Sequence, residues 1–388
     1  MEATTLSPFK QARKFPPFNL SHLLRTIFNP KKGERLCILI DLEDPTLVKE
    51  FAFLKHPKHP VQKKAYNIFY QGLRNGLMKE LGLAACDLYA YKTTGGSNLE
   101  LPETAIATSG KAVSLKDNIY PAYDIILCIT EYSATAPLTA AGKRYGFRGA
   151  TMHGMNDVVL ESGLSVDYND VSRDTEKLRL GMTHADSVDI DFAVDSHDYH
   201  LHIDLGRQEA QKSHGICHVK PDVVNLPAGE VYFVPTDAKG SFPMKFDDGT
   251  IGIMHVDQCR IKAIDFLRGN KKTVDELSHK FKADPAASIL GELGFGTQVL
   301  PFAGSDIQDE KIFGTFHIAT GRNDHLSGNV TLEKFANTRN ATHDDILFSS
   351  TKTPEITVKQ VRMSRNGQSQ ILIEKYEPSE YLLSLLKH

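Results

Sequence analysis

The pattern of apolar and polar residues changes about halfway along the chain. In the first half, short apolar runs alternate with segments whose apolar residues recur at helical spacing. The runs ERLCILIDLEDP, CDLYAYKTT, YDIILCIT and RGATMHGM are typical of buried strands, and helical patterns cover Val61 to Leu81 and APLTAAGKRYG. Strands that alternate with helices predict a parallel sheet with helices on both faces.

In the second half, apolar residues recur at every second position, which is typical of strands with one buried face. SVDIDFAV and DYHLHIDLG follow this rule, and FPMKFDDGTIGIMHVD predicts a hairpin around an Asp-Gly turn. The chain of 388 residues is long enough for two cores. We therefore predict an α/β protein with an N-terminal parallel α/β sheet domain, residues 1–168, and a C-terminal mixed α+β domain, residues 169–388.

Composition excludes several classes of function. The net charge is −3 and no basic stripe is present, so nucleic acid is not an expected partner. No run reaches the eighteen apolar residues of a membrane span, and the first residues lack the apolar core of a signal peptide. The five cysteines are scattered and form no C-x-x-C pair, as expected for reduced thiols. We expect a cytoplasmic protein without a membrane partner.

Nucleotide binding is also not expected, although a parallel sheet suggests it. No G-x-G-x-x-G follows the first strand. The segment TSGKAVS contains Gly110 and Lys111 but lacks the upstream glycine, and Ala112 stands where a P-loop needs serine or threonine.

Carboxylates and imidazoles are concentrated between residues 289 and 346, in the phrases ILGELGFGTQ, DEKIFGTFHIATG and THDDIL. Together with NLPAGEVYFVP these phrases contain five candidate ligands: Glu230, Glu292, His317, His343 and Asp345. Such a set without a thiol suits zinc, manganese, cobalt or iron(II). Five ligands exceed the three or four that one catalytic zinc takes, which favours two ions. Each residue alone also has an ordinary explanation, as a turn glutamate or a hydrogen-bonded core histidine.

The spacing of these residues agrees with presentation by strands. His343 and Asp345 are two positions apart, so a strand would place both on one face. His317 stands between two apolar residues that would face the other way. Glu310 and Lys311 are candidates for a proton shuttle and a charge stabiliser, with a surface salt bridge as the favoured alternative.

The phrases GELGFGT, GTFHIATG and HDD together resemble the aminopeptidase T family of metal-dependent leucyl-type aminopeptidases. The resemblance is strong from Asn225 to Leu347 and weak through the middle of the chain. It implies that the five candidate ligands bind two divalent ions, zinc, cobalt or manganese, in a homodimer that admits small molecules or short peptides. Peptidases of that family carry a tyrosine, proposed to act in catalysis, seven residues after the first histidine, and here that position is Asp324. We expect Asp324 to serve as an extra ligand, a base or a clamp for an ammonium group.

The predicted function is therefore a metallo-aminopeptidase-like hydrolase in which two ions activate water to cleave a peptide or amide bond. One alternative is a mononuclear non-heme iron(II) ring-cleaving dioxygenase of the dihydroxypyridine dioxygenase type. Those enzymes keep the terminal H-x-D but carry a histidine in place of Glu292. Another alternative is a catalytically silent binding module.

A second group of histidines lies upstream of the candidate ligands. It comprises His197, His200, His202, His214 and His218. The run H-G-I-C-H has no helix or strand context that favours zinc. We expect some of these histidines to line the substrate pocket and others to be exposed.

Overall fold

The computed structural model describes residues 13–387 and shows a mixed α/β fold with three β-sheets in that range. The α/β prediction is confirmed. Residues 1–12, which include most of the segment considered as a signal peptide, lie outside the described range. None of the helices from residue 13 to 387 is long and apolar enough to cross a membrane.

The strands are named in chain order. They are β1 Arg35–Leu42, β2 Ala85–Lys92, β3 Thr104–Ala107, β4 Ala112–Ser114, β5 Ile125–Thr130, β6 Arg148–His153, β7 Ser187–Val194, β8 His197–Asp204, β9 Gln211–Ser213, β10 Asp222–Asn225, β11 Glu230–Phe233, β12 Asp237–Lys245, β13 Ile251–Asp257, β14 Arg260–Arg268, β15 Leu290–Gly296, β16 Phe316–Gly321, β17 His343–Phe348, β18 Thr357–Arg365, β19 Gln368–Glu374 and β20 Glu377–Pro378. The α-helices are α1 Leu20–Phe28, α2 Pro60–Lys64, α3 Met78–Glu80, α4 Thr135–Tyr145, α5 Asp157–Glu161, α6 Tyr168–Met182, α7 Lys271–Ala283, α8 Asp306–Asp309 and α9 Glu380–Lys387.

The first sheet has seven strands in the order β10-β6-β5-β1-β2-β3-β4. The strands from β10 to β2 pair in parallel, and β3 and β4 continue the sheet antiparallel. Seven of the eight residues of β1 are buried, because helical segments cover both faces of the sheet. The sheet also includes β10, which comes from the second half of the chain and pairs with β6.

The single amphipathic helix predicted from Val61 to Leu81 is interrupted. The chain passes from α2 into wider π-type turns, Ala65–Tyr70 and Leu73–Leu77, before α3. The break lies at Gly76, whose φ of +117° is a conformation that no regular right-handed helix contains. The apolar period therefore indicated the buried face correctly but not the regularity of the backbone.

The second half forms two antiparallel sheets. One has eight strands, β14-β13-β12-β8-β7-β18-β19-β20, and the other has five, β17-β16-β15-β11-β9. Burial alternates along β7, as the period-two pattern predicts. The two sheets pack through an aromatic core in which Phe316 stacks on Phe348 at 4.9 Å and Phe192 contacts Phe348 at 5.1 Å. The five-stranded sheet carries all five candidate ligands.

Candidate metal centre

Four neighbouring strands of the five-stranded sheet bring the candidate ligands together. Glu230 begins β11, Glu292 lies in β15 and His317 in β16, while β17 carries His343 and Asp345. In β17 the side chain of the intervening Asp344 bonds instead to Lys280, at 3.0 Å. The period of two along the strand therefore directs alternate residues to the cluster.

Glycine makes room for one imidazole. Gly294 is paired with His317 across β15 and β16. A Cβ added at Gly294 would lie 2.2 Å from the Cε1 of His317, closer than any side chain can approach. The glycines of the phrase LGELGFG thus allow the ring to lie directly over the neighbouring strand.

The distances within the cluster are short. The Nε2 of His343 lies 2.9 Å from Glu292 and 3.4 Å from Asp345. The Nε2 of His317 lies 3.5 Å from Glu292, 3.8 Å from Glu230 and 4.0 Å from Asp345.

These side chains form three overlapping groups. Within each group, the possible ligand atoms lie within 4.8 Å of one another. The groups are Glu230, Glu292 and His317; then Glu292, His343 and Asp345; and then Glu310, His317 and Asp345. The structure therefore brings all five predicted ligands together and adds Glu310 to them. Their role as ligands remains a prediction.

Glu310 and Lys311 are buried inside this cluster, with exposed fractions of 5% and 1%. The Nζ of Lys311 lies 2.7 Å from Glu230 and 2.5 Å from Glu310. The favoured expectation of a surface salt bridge is wrong, because the segment between α8 and β16 packs into the site and not on the outside of the fold. Burial raises the pKa of Glu310 to about 7, although the neighbouring ammonium opposes this shift.

The cluster has an excess of negative charge. Four carboxylates, those of Glu230, Glu292, Glu310 and Asp345, surround one ammonium group. Burial alone would lower the pKa of His317, but hydrogen bonding and attraction to Glu292 outweigh it and raise that pKa to about 10. Burial likewise opposes protonation of His343, yet Asp345 and Glu292 raise its pKa well above the usual value. The positive charge of the protonated imidazoles offsets part of the negative charge of the carboxylates.

The donor set fits a divalent metal ion. The candidate ligands are imidazole nitrogens and carboxylate oxygens, which suit first-row metals such as iron(II). Among residues 13–387 the buried Nδ1 of His317 has no hydrogen-bond partner, so the polar contacts of this ring are made by its Nε2, which faces the carboxylates.

The cluster forms one end of a cavity of about 310 Å³ between the first sheet and the five-stranded sheet. The first half of the chain contributes mainly polar side chains to its wall: Ser97, Asn98, Ser133, Thr135, Thr139, Lys143 and His153. The second half adds Lys212, His214, Tyr232, His325 and Leu326, among others. The cavity is therefore lined by both halves of the fold.

The sequence patterns did not indicate His153 or His325 as site residues. They indicated His214 only as one of the upstream histidines. Burial lowers the pKa of His153 to about 4 and that of His214 to about 4. The ring of His325 lies edge-on to His343, with 4.9 Å between their centres. A signal for His153 existed, because it ends the parallel strand β6 and the carboxyl ends of such strands are where site residues collect.

Asp324 does not line this cavity, unlike its neighbour His325. Its carboxylate forms a two-point pair with Arg322, with Nε–Oδ1 and Nη2–Oδ2 distances of 2.8 and 3.2 Å. Burial would raise the pKa of Asp324, but His325 and Arg322 lower it below its usual value. Its carboxylate thus binds Arg322 and is not directed at the candidate ligands.

The upstream histidines are dispersed. His200 and His202 project from β8 to Asp191 and Asp189, His218 bonds to the carbonyl of Thr26, and His214 lines the cavity. Within residues 13–387, none of the groups able to hold a metal includes one of these histidines.

Comparison with known proteins gives a similarity of structure and none of sequence. No protein-family model and no curated protein sequence matches the chain. The solved structure of 2,5-dihydroxypyridine dioxygenase from Pseudomonas putida KT2440 is similar, with a TM-score of 0.59 and 13% sequence identity over 93% of this chain and 95% of that one. At this identity the similarity shows a shared fold.

The resemblance to the aminopeptidase T family is wrong, and the predictions of a hydrolase and a metalloprotease are wrong with it. No family model supports them, and the similar solved structure is that of a dioxygenase. The resemblance relied on short glycine-rich phrases. Gly294 is required because the ring of His317 lies against its strand, and this packing role does not specify a reaction. The comparison supports the dioxygenase alternative instead.

Proposed function

We propose that this protein is a non-heme iron(II) dioxygenase that cleaves a hydroxylated aromatic ring. The observation that carries the proposal is the group of Glu292, His343 and Asp345 at one end of the cavity, with His317 3.5 Å from Glu292 and 4.0 Å from Asp345. Two histidines and one carboxylate with open positions are the ligand set of non-heme iron oxygenases. The fold shared with a dioxygenase over nearly the whole chain supports the same conclusion.

The metal identity follows from this proposal. His343, Asp345 and Glu292 form one donor group, and His317 stands beside it. Lys311 already balances charge between Glu230 and Glu310, which supports one iron ion in place of the two zinc, cobalt or manganese ions expected from the sequence. Iron(II) would supply the redox chemistry that allows dioxygen to react with an aromatic ring.

The side chains of the cavity would bind and orient the ring. A volume of about 310 Å³ suits one small molecule and excludes a folded polypeptide. Asn98, Ser133 and Thr135 offer amide and hydroxyl groups to ring hydroxyls. His153 is neutral at pH 7, because burial lowers its pKa, and so can accept a hydrogen bond or a proton from a hydroxyl group.

The remaining expectations are carried forward as proposals. We propose two domains divided near residue 168, with β10 completing the sheet of the first and the cavity between them, and a cytoplasmic homodimer that binds neither nucleic acid nor membrane. The cavity volume of about 310 Å³ supports a small-molecule partner. Light scattering coupled to gel filtration measures the oligomeric state directly.

The experiment that tests the function starts with protein purified without added metal and without oxygen. We expect it to bind one equivalent of iron(II) and then to consume dioxygen with 2,5-dihydroxypyridine or another dihydroxylated ring, with matching loss of the ring absorbance. His343→Ala should lose both properties, whereas His200→Ala, which changes an exposed histidine of β8, should keep them. Loaded protein that consumes no dioxygen with any dihydroxylated pyridine or benzene would exclude the proposal.

A further inference from the structure

Arg322 connects the two walls of the cavity. It follows β16 directly, and only 3% of it is exposed. Its guanidinium pairs with Asp324 on its own side of the cavity. On the other side it lies 2.8 Å from the carboxylate of Glu100 and 3.2 Å from the carbonyl oxygen of Asn98, both in the first half of the chain.

The backbone of the same residue holds a candidate ligand. The Nδ1 of His343 donates to the carbonyl oxygen of Arg322 at 2.6 Å. With Nδ1 as this donor, Nε2 is the ring nitrogen that faces Glu292 and Asp345 and that would bind a metal after losing its proton. The amide of Arg322 in turn donates to the carbonyl oxygen of Thr342 at 2.8 Å. Two hydrogen bonds of Arg322 therefore join the end of β16 to the start of β17.

The opposite wall is equally well fixed. Asn98 lines the cavity and has a left-handed backbone, with φ at +63°. Its amide donates to the carbonyl oxygen of Ser133 at 2.7 Å, and its side-chain oxygen accepts from the amide of Ala136 at 2.8 Å. The guanidinium of Arg322 therefore bonds to a segment that two further hydrogen bonds hold in place.

We propose that Arg322 is a positioning residue that orients His343 for metal binding by anchoring its own backbone, through Glu100, Asn98 and Asp324, to both walls of the cavity. A buried guanidinium with two carboxylate partners has its charge and its donor groups satisfied, so it holds one position. The position of the guanidinium in turn fixes the position of the backbone carbonyl oxygen of Arg322, to which His343 donates. The inference rests on the proposed role of His343 as a ligand.

Cobalt(II) is the probe that tests it, because its visible spectrum reports ligand geometry without turnover. Arg322→Met should weaken cobalt(II) and iron(II) binding by about tenfold or more, the usual effect of removing a group that orients a ligand. It should also change the cobalt spectrum. Arg322→Lys should give a smaller loss, since lysine keeps the charge but not the two-point geometry.

A distant variant separates positioning from general stability. Glu100→Gln removes one anchor 222 residues away in sequence, at a partly exposed side chain, and should weaken cobalt binding and shift the spectrum in the same direction as Arg322→Met. Glu103→Gln, at an exposed position of the same segment, is the matched control and should do neither. Arg148→Met removes another buried guanidinium, paired with Glu34, and should lower thermal stability without changing the spectrum of bound cobalt.

The outcomes are distinct. Normal cobalt affinity and an unchanged spectrum in Glu100→Gln and in Arg322→Lys would overturn the positioning role while leaving the proposed function intact. If Arg322→Met does not fold, these two variants decide. Wild-type protein that binds neither cobalt nor iron would overturn the metal site itself, and the role of Arg322 with it.

Discussion

The ammonium group of Lys311 lies 2.7 Å from the carboxylate of Glu230, and both side chains are buried beside the candidate ligands. The same ammonium contacts Glu310. A buried ion pair gains little over an apolar pair of the same size, but removing one partner leaves an unbalanced charge. Lys311 is therefore part of the charge balance on which the cluster depends.

We predict that Lys311→Met lowers the free energy of unfolding of the metal-free protein by about 3–5 kcal/mol. The reason is that Glu230 loses its cation inside the fold, while Glu310 can escape part of the penalty by taking up a proton. Iron(II) should restore more stability to this variant than to the wild type, because the ion supplies the lost positive charge. Urea denaturation with and without iron(II) measures both effects.

Lys359→Met is the control for that prediction. Lys359 forms an exposed pair with Asp198 on the eight-stranded sheet, and such pairs contribute about 0–1 kcal/mol. Equal losses of stability in the two variants would show that burial of the Lys311 ion pairs has no energetic consequence.

Removing a candidate imidazole should abolish metal binding. His317→Ala and His343→Ala each open a position in the cluster, and we expect at least a hundredfold loss of iron(II) affinity by isothermal titration under nitrogen. His197→Ala changes an exposed histidine at the start of β8 and should titrate as the wild type does. Retained affinity in both cluster variants would assign the metal elsewhere.

Gly294→Ala should displace His317 without removing it. The added Cβ would lie 2.2 Å from the ring, so the imidazole must move away from Glu292 and Glu230. We expect a folded protein with at least tenfold weaker iron(II) binding. Gly252→Ala provides a matched strand glycine, since the nearest atom to its Cβ would be the Cγ2 of Ile264, at 3.1 Å. If Gly294→Ala binds iron normally, the close approach of glycine to the ring has no role in the site.

The pair of carboxylates around His202 predicts a dependence of stability on pH. Burial lowers the pKa of His202, but Asp189 and Asp204 outweigh burial and raise it. A raised pKa gives stability that is fully present below the unfolded-state pKa of about 6.5 and is lost as the pH rises through the folded-state value. The side chain is partly exposed, so the contribution should be about 1 kcal/mol or less.

The measurement is the difference in unfolding free energy between wild type and His202→Gln at several pH values. The difference should be greatest near pH 5.5 and should vanish at high pH. His197→Gln is the control at another histidine of β8, whose ring bonds to the backbone carbonyl of Asp195 and not to a carboxylate. A difference that grows with pH would contradict the assigned ion pairs.

The sequence predicted those parts of the fold that depend on local periodicity. Strand β7 alternates as its apolar residues require, and His343 and Asp345 share a face because they are two apart on a strand. The predicted ligands assemble because they occupy adjacent strands of one sheet.

Contacts between distant segments could not be predicted in this way. His153 enters the cavity because β6 ends there, and Lys311 is buried because the five-stranded sheet closes over it. No periodic pattern in the sequence indicates the position of either side chain. The predicted reaction class is wrong because glycine-rich phrases around ligands reflect only how the cluster packs. Substrate specificity depends on the cavity wall, to which both halves of the chain contribute.

The pairing of β10 with β6 has a consequence for dividing the chain. A fragment that ended near residue 168 would lack β10, and the backbone amides and carbonyls of Arg148–Thr151 along that side would lose their strand partners. An open parallel edge of this kind readily pairs with another chain. The first half therefore depends on a short strand that lies much later in the sequence. Separating the two halves would produce an aggregation-prone sheet in place of an independent domain.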